Sequence, residues 1–308
     1  MCGIAGFIDR DIQNPTVLET MLSQLHHRGP DSKGTYGYGG LQMGVTRLAI
    51  NDLKTGDQPL FNREKNIALI YNGEIYNFRE LRKQLITLGC RFRTESDTEV
   101  ILEAYAQWGE TCIERLNGMF AFGIWDRKAQ RLLLGRDRLG IKPLYYYPGP
   151  HGVTFASEMG ALVQDSEVPR RISARAVSDY LSLGYILTPK TIYRDVQRLP
   201  PGRIMVCANG RVRQSSYWDL ASRVREGRLT FQERTPDQLR EQLGEKLETA
   251  VANQMVSDVP VGAFLSGGVD SSAVVHFMTA HSADPVRTFS IGFEEPSYSE
   301  LEFAGEVA

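Results

Sequence analysis

Short apolar runs broken by Gly, Asn and Asp fill the chain up to about Leu199. GIAGFID, LQMGVTRLAI, IALIYNGEIY, GMFAFGIWD, RLLLGRD and LYYY have the length and the β-branched and aromatic content of strands. Helical periodicity interrupts them in PTVLETMLSQLHHRG, closed by Gly29, and in FRELRKQLITLG, closed by Gly89. It returns in DTEVILEAYAQWG, with Asp97 as the expected N-cap and Gly109 past the last turn. Many antiparallel-looking strands with few helices predict an α+β layered fold.

Past Leu199 the texture changes. LPPGRIMVCANGRVRQSSYWDL reads as a hairpin turning at Asn209-Gly210. The charged, weakly periodic ASRVREGRLTFQERTPDQ reads as a linker. TPDQLREQLGEKLETAVANQMV is an amphipathic helix with Pro236 in its first turn. A buried strand (VPVGAFLSGG), a helix (DSSAVVHFMTAHS) and a second strand (VRTFSIGF) follow, the spacing of a βαβ unit in a doubly wound parallel sheet. The expected domains are residues 2–217 and 236–308, joined by a linker at 218–235. Such sheets need about five strands. The second domain is therefore expected to be incomplete in this chain, as a fragment or a truncated reading frame.

Composition narrows the function classes. A formal charge of −2 and a pI near 6.3 give no reason to expect nucleic acid or an anionic membrane as partner. No apolar run approaches the roughly 18 residues of a membrane span, and MCGIAGFIDRD lacks a basic region followed by an apolar one, so a cytoplasmic protein is expected. The four cysteines, Cys2, Cys90, Cys112 and Cys207, are widely spaced, which excludes a CxxC-type zinc or thioredoxin site and argues against a disulfide scaffold. Cys90, Cys112 and Cys207 sit among apolar neighbours and are expected to pack in the core.

Cys2 offers different chemistry. Its small side chain would let an aminopeptidase remove Met1, leaving a free α-amine beside a thiol. With a pKa of about 7.7–8.0, roughly a tenth of such an amine is unprotonated at pH 7, so it can act as the base for its own side chain. The thiolate could attack an amide carbonyl, form a thioester and release ammonia. Gly3 is expected to leave space beside the nucleophile and to let the backbone turn.

Several other residues could complete a site. Arg47, in the strand VTRLAI, presents a planar fork suited to a carboxylate. Asn72-Gly73, by default a tight turn, could instead aim a side-chain amide and a backbone N–H at an oxyanion, with Glu74 beside them to hold an ammonium. Asp97, as an N-cap, could also serve a substrate amine. Taken singly, each has an ordinary structural role. Together and in this order, MCGIAGF, HRGPD, RLAI, QPL, YNGEIYN, SDTEV, GMFAFGIWD and GRDRLGIKPLYY resemble the class II glutamine amidotransferase domain of asparagine synthetases, over essentially all of residues 2–217. The resemblance implies an N-terminal nucleophile hydrolase fold of four layers, αββα, and a homodimer. It implies Cys2 as nucleophile, Asn72 and Gly73 as oxyanion hole, Arg47 on the glutamine α-carboxylate, and Glu74 and Asp97 on its α-amine. Leu48, Ala49, Ile50 and Asn51 complete the glutamine site. The strand carries Val45 where family members commonly have a His.

FLSGGVDSS joins the later strand to its helix through a Gly-Gly turn, an anion cradle without the Gly-Lys-Ser/Thr of the Walker pattern. It resembles the pyrophosphate loop of N-type ATP pyrophosphatases. That resemblance implies an ATP site at Phe264, Leu265, Ser266, Gly267, Gly268, Asp270, Ser271 and Ser272, with Asp270 helping to hold Mg²⁺ on the pyrophosphate. Ser290, Ile291 and Gly292 would shape the adenine pocket. The halves together look like a glutamine-hydrolysing asparagine synthetase, in which adenylated aspartate takes up the ammonia. Alternatives are a sugar or peptide carboxylate as acceptor, glutaminase activity alone, or a non-catalytic module that binds glutamine or a partner subunit. The intact Cys2 set argues against a β-lactam synthetase, and the LSGGVDSS loop excludes phosphoribosylamine- or glucosamine-forming amidotransferases.

Overall fold

In a computed structural model, the described residues are 1–8, 16–150, 152–231 and 234–308. Asp9 and Pro15 of the expected first strand and helix, and Gln232 and Glu233 of the expected linker, lie outside them. The chain divides into two compact units, Met1–Arg223 and Val224–Ala308.

The first unit opens with β1 (Gly3–Ile8), α1 (Thr16–Ser23), β2 (Ser32–Tyr38), β3 (Leu41–Arg47), β4 (Leu60–Phe61) and β5 (Ile67–Ile75). It continues with α2 (Phe78–Thr87), α3 (Asp97–Trp108), β6 (Gly118–Asp126), β7 (Arg131–Arg136), β8 (Tyr145–Pro148), β9 (Val153–Ala156), α4 (Met159–Leu162) and α5 (Ala174–Leu183). β10 (Gln197–Arg198), β11 (Arg203–Ala208) and β12 (Arg211–Ser216) close it. One sheet runs β10-β8-β9-β1-β3-β2 and the other β12-β11-β7-β6-β5-β4, all pairings antiparallel.

The sheets stack face to face because their central strands are apolar on both sides. In β1, Ile4 and Ile8 join Met43 and Val45 in a core shared with Ala68, Ile70, Ala121, Leu134 and Met205 of the other sheet. Ala5 and Phe7 point the opposite way, into a second core with Leu18, Met21 and Leu22 of α1 and Ala161 and Leu162 of α4. α3 covers the far face of the second sheet along β4 and β5 and packs against α2. Helices outside two stacked sheets give the expected four layers. Phe155 of β9, fully buried, fills space that Gly6 leaves open: a Cβ on Gly6 would come within 2.7 Å of its ring.

Several expectations change. Asn72-Gly73 is no turn; both lie inside β5, opposite Ala121 and Phe120, because the ladder with β6 runs on past them to the Ile75–Gly118 pair in a nine-residue strand. α1 ends at Ser23 and a 3-10 turn, His26–Arg28, carries the chain to Gly29, where a Cβ would run into the backbone of Thr46 and Arg47. The N-cap of α3 is Ser96, whose side chain accepts from the Thr98 N–H at 3.0 Å; Asp97 is the first helical residue and turns inward. Gly3 lies within β1 rather than at a turn, and its role is steric, since a Cβ would sit 2.8 Å from Leu25 and Thr46. Cys112 and Cys207 are buried, whereas Cys90 is only partly so. The hairpin at Asn209-Gly210 forms as its sequence requires, both residues at positive φ.

The segment read as a linker holds a helix, α6 (Leu220–Phe231), since its Arg, Glu, Ala and Leu residues favour helix even without a strong apolar stripe. The second unit then contains α7 (Pro236–Gln254), β13 (Gly262–Phe264), α8 (Val269–His281), β14 (Arg287–Phe289) and α9 (Leu301–Val307). Thr235 and Gln238 form a capping box that spans Pro236. β13 and β14 pair in parallel across α8, as expected of a βαβ unit. β13 is not the buried strand expected: it is three residues long and Phe264 is 79% exposed, because a two-stranded sheet with a small core of Leu265, Val275 and Ala304 cannot cover both its faces.

Phe155→Ala removes the ring between the sheets and should cost about 3–5 kcal/mol. A urea unfolding midpoint unchanged from wild type would contradict this placement.

Candidate active site

The start of β1 brings Cys2 to a pocket also lined by Arg47, Leu48, Ile50, Asn51, Asn72, Gly73, Glu74 and Asp97. Ala49 does not line it; its N–H donates to Asp31 Oδ2 at 2.8 Å, which fixes the turn after β3. Backbone bonds anchor the strand behind the cysteine. The Ile4 N–H donates to Ser157 Oγ at 3.0 Å, and the Ser157 N–H returns to the Ile4 carbonyl at 2.8 Å. Arg28, from the HRGPD turn, donates through Nε to the Cys2 carbonyl at 3.0 Å and pairs with Glu158 at 2.8 Å. Val45 lies in the core between the sheets, beside Ile4.

The thiol of Cys2 lies 3.8 Å from the Leu48 carbonyl, to which it donates. Burial pushes its pKa up; the Leu48 contact, the N-terminal amine and Arg47 pull it back, and Asp97 raises it. The amine, carried here by Met1, is shifted down, first by burial. Cys2 and Asp31 oppose that shift, while Lys142 and Arg28 reinforce it. Burial also pushes the Cys112 thiol up to about 12, consistent with inert packing.

Asn72 is 1% exposed, and neither its Nδ2 nor its Oδ1 has a hydrogen-bond partner. A buried amide with both polar atoms unpaired is costly, and a site that awaits a ligand is where that cost is tolerated. Gly73 must be glycine: a Cβ would strike the Met119 carbonyl and lie 2.8 Å from the Phe120 Cα and the Tyr71 ring. Arg47 is buried, its fork donating to Asp57 Oδ1 at 3.0 Å and to the carbonyls of Asp52 at 2.7 Å and Asn51 at 3.2 Å. Glu74 accepts from the Asn51 amide. Asp97 accepts from Tyr71 Oη at 2.8 Å and from the Ile75 N–H at 2.9 Å, and burial shifts its carboxyl upward despite both bonds.

The pocket also holds Gln58, Tyr71, Ser96, Thr98, Met119 and Lys142, which sequence reasoning did not single out. Gln58 begins the QPL motif, and its Oε1 accepts the Tyr71 N–H at 2.7 Å. Lys142 lies in the GIKPL segment. Both motifs were visible, but neither carried a chemical signal by residue type alone.

In the second unit, the turn after β13 builds a small cradle. The Ser266 N–H donates to Ser271 Oγ at 3.3 Å, the two hydroxyls lie 3.1 Å apart, and Ser271 Oγ donates to the Gly268 carbonyl at 3.1 Å. Gly267 has φ +78° and lies against the Phe303 backbone, where a Cβ has no room. Ser290 Oγ donates to the Leu265 carbonyl at 2.6 Å, tying the end of β14 to the loop. Ser272 Oγ is buried without a partner, and Asp270 is exposed in the first turn of α8. Leu265 is buried, Phe264 and Ile291 are exposed, and Gly292 abuts Leu301.

Two stacked antiparallel sheets between helical layers, with a cysteine at the head of a central strand, define the N-terminal nucleophile hydrolase class. Residues 1–218 match the glutamine amidotransferase domain family, and the chain belongs to it; residues 242–308 match the asparagine synthase family. The chain is 35% identical over 305 residues to asparagine synthetase [glutamine-hydrolyzing] 3 of Bacillus subtilis (strain 168), covering 96% of this chain and 48% of that protein. It is 36% identical over 318 residues to asparagine synthetase [glutamine-hydrolyzing] 1 of the same organism, covering 100% of this chain and 48% of that protein. The chain thus spans about half the length of these relatives. Among solved structures, glutamine phosphoribosylpyrophosphate amidotransferase from B. subtilis shares the fold with a TM-score of 0.52, at 17% identity over 96% of this chain and 67% of that one. Among the described residues, no helix is long and apolar enough to cross a membrane.

With burial dominant, the Cys2 thiol of the chain that retains Met1 should stay protonated further into the alkaline range than an ordinary thiol. Its alkylation by iodoacetamide, followed by mass spectrometry, should lag behind a model thiol near pH 8. Parity with the model thiol would contradict the buried setting.

Proposed function

We propose that Cys2, once Met1 is removed, hydrolyses glutamine to glutamate and ammonia, and that the ammonia amidates an ATP-activated carboxylate, aspartate in the leading reading. The observation that carries the first half is the unpaired amide of Asn72 in the Cys2 pocket. An oxyanion at the attacked carbon would give Asn72 Nδ2 the partner it lacks, with the Gly73 N–H as second donor.

The α-amine of Cys2 takes the thiol proton, and the sulfur forms a bond to the side-chain carbonyl carbon of glutamine. As the tetrahedral intermediate collapses, the carbon–nitrogen bond breaks and the amine returns its proton to the leaving ammonia. Water then attacks the thioester, freeing glutamate and the thiol. Three of the five N–H groups of Arg47 are engaged, which leaves donors for the substrate α-carboxylate. Glu74 and Asp97 serve the α-ammonium. A carboxyl that burial holds toward its neutral form becomes charged when a cation arrives beside it, so Asp97 is suited to that part.

The loop from Phe264 to Ser272 suits the phosphates of ATP: backbone N–H groups at the head of α8 and the unpaired Ser272 hydroxyl offer donors where an anion would sit. Asp270, exposed in the first turn of α8, would help hold Mg²⁺ on the pyrophosphate. Bound there, Mg²⁺ would neutralise the charge of the pyrophosphate. Ile291 and Gly292, tied to the loop through Ser290, would border the adenine. Adenylation releases pyrophosphate; ammonia displaces AMP from aspartyl-AMP and leaves asparagine. A cytoplasmic location and a homodimer belong to the same reading.

Glutamate release should vanish in Cys2→Ala, and Asn72→Ala should lower kcat by about 10²–10³ with little change in KM. Equal rates for wild type and Cys2→Ala would sink the assignment. In a polypeptide that also supplies the rest of the synthetase domain, pyrophosphate release from ATP should depend on aspartate and fall in Asp270→Asn; release that depends instead on a sugar or peptide carboxylate would reassign the acceptor.

A further inference from the structure

We propose that Lys142 is a working part of the Cys2 pocket: its ammonium is a fixed positive charge that keeps the α-amine neutral and favours the thiolate. This rests on the glutaminase reading. Lys142 is 4% exposed and lines the pocket with Cys2 and Glu74. Among the described residues, no hydrogen bond or ion pair holds its ammonium. A buried lysine without a partner is unfavourable for folding, and such groups concentrate at functional sites.

The backbone around it is built to keep it there. Asp137, itself buried, accepts the N–H groups of Leu139 at 3.1 Å, Ile141 at 2.9 Å and Lys142 at 2.9 Å. Arg136 donates to the carbonyls of Lys142 at 2.7 Å, Gly140 at 2.6 Å and Leu199 at 2.5 Å. The loop between β7 and β8 is thus clamped from both sides at the residue that enters the pocket.

The charges facing the terminal amine, carried here by Met1 one residue ahead of the Cys2 nitrogen, are Lys142 and Arg28, which disfavour its protonated form, and Cys2 and Asp31, which favour it. Those facing Lys142 are Arg28, which lowers its pKa along with burial, and Cys2, Asp137 and Glu74, which raise it. Arg28 is already paired with Glu158, so its charge is largely compensated. Among the described side chains that line the pocket, Arg47 is paired with Asp57 and Lys142 has no ion pair. Removing it would raise both the amine and the thiol pKa, so both effects move reactivity toward higher pH.

The test uses the chain with Met1 removed and compares wild type, Lys142→Met and Lys142→Arg, with Lys142→Gln in place of the Met variant if that one is insoluble. The pH dependence of kcat/KM for glutamine and of Cys2 alkylation by iodoacetamide without substrate are measured. The charge-removing variant should move the acidic limb of both profiles up by about one pH unit, with severalfold slower alkylation at pH 7, while Lys142→Arg keeps the wild-type limb. Superimposable profiles, or equal loss in both variants with no movement of the limb, would overturn the proposal. A wild type that releases no glutamate would defeat the glutaminase reading, and the alkylation profile would still decide the role of Lys142.

Discussion

With Ile4 and Ile8 turned into the core between the sheets and Ala5 and Phe7 covered by α1 and α4, strand β1 is fixed on both faces. A slip of one residue would exchange the two sets, so its register against β3 and β9 is strongly determined. That register places Cys2 just ahead of the Gly3–Thr46 pair, one step from Arg47 on β3. The head of the chain, ordinarily its least ordered part, is therefore held as firmly as a core strand. The pocket depends on this: Arg47, Asn72 and Asp97 can converge on the cysteine only because it cannot move.

Buried carboxylates organise the walls around it. Asp137 gathers backbone N–H groups from the loop after β7 and from Phe120, which lies opposite Gly73. Glu99 receives the N–H groups of Arg93 and Thr94 and the Thr94 hydroxyl, closing the turn that leads into α3. Asp97, two residues before Glu99, is aimed into the pocket by Tyr71 and Ile75. Beside these well-satisfied carboxylates, the two unpaired atoms of Asn72 fit the oxyanion role proposed for it.

Much of this was legible in the sequence, for definite reasons. The two-sided apolar runs identified the stacked strands, and the fixed motif order brought Cys2, Arg47, Asn72, Gly73, Glu74 and Asp97 to one pocket. What stayed hidden depends on contacts distant in sequence. Asn72-Gly73 has the composition of a turn, and only pairing with Ala121 and Phe120 makes it strand. Ser96 and Asp97 are both good caps; inward hydrogen bonds from Tyr71 and Ile75 decide between them. The helix at Leu220–Phe231 follows local propensity in a stretch whose missing apolar stripe suggested a linker. Lys142 was overlooked because lysines are usually exposed, and nothing local says that Arg136 and Asp137 hold this one inside.

The two-sided burial of β1 also bears on maturation. On the proposed chemistry, the Met1–Cys2 bond must be cut before the amine can work, yet the residues that follow it, Gly3–Ile8, are buried throughout. Met1 itself is 55% exposed, but a terminus paired into a sheet from Gly3 onward cannot extend into a peptidase cleft without unpairing. Methionine excision thus belongs to the nascent chain, ahead of the docking of β1, and a chain that folds faster than it is processed would be stably folded and chemically silent.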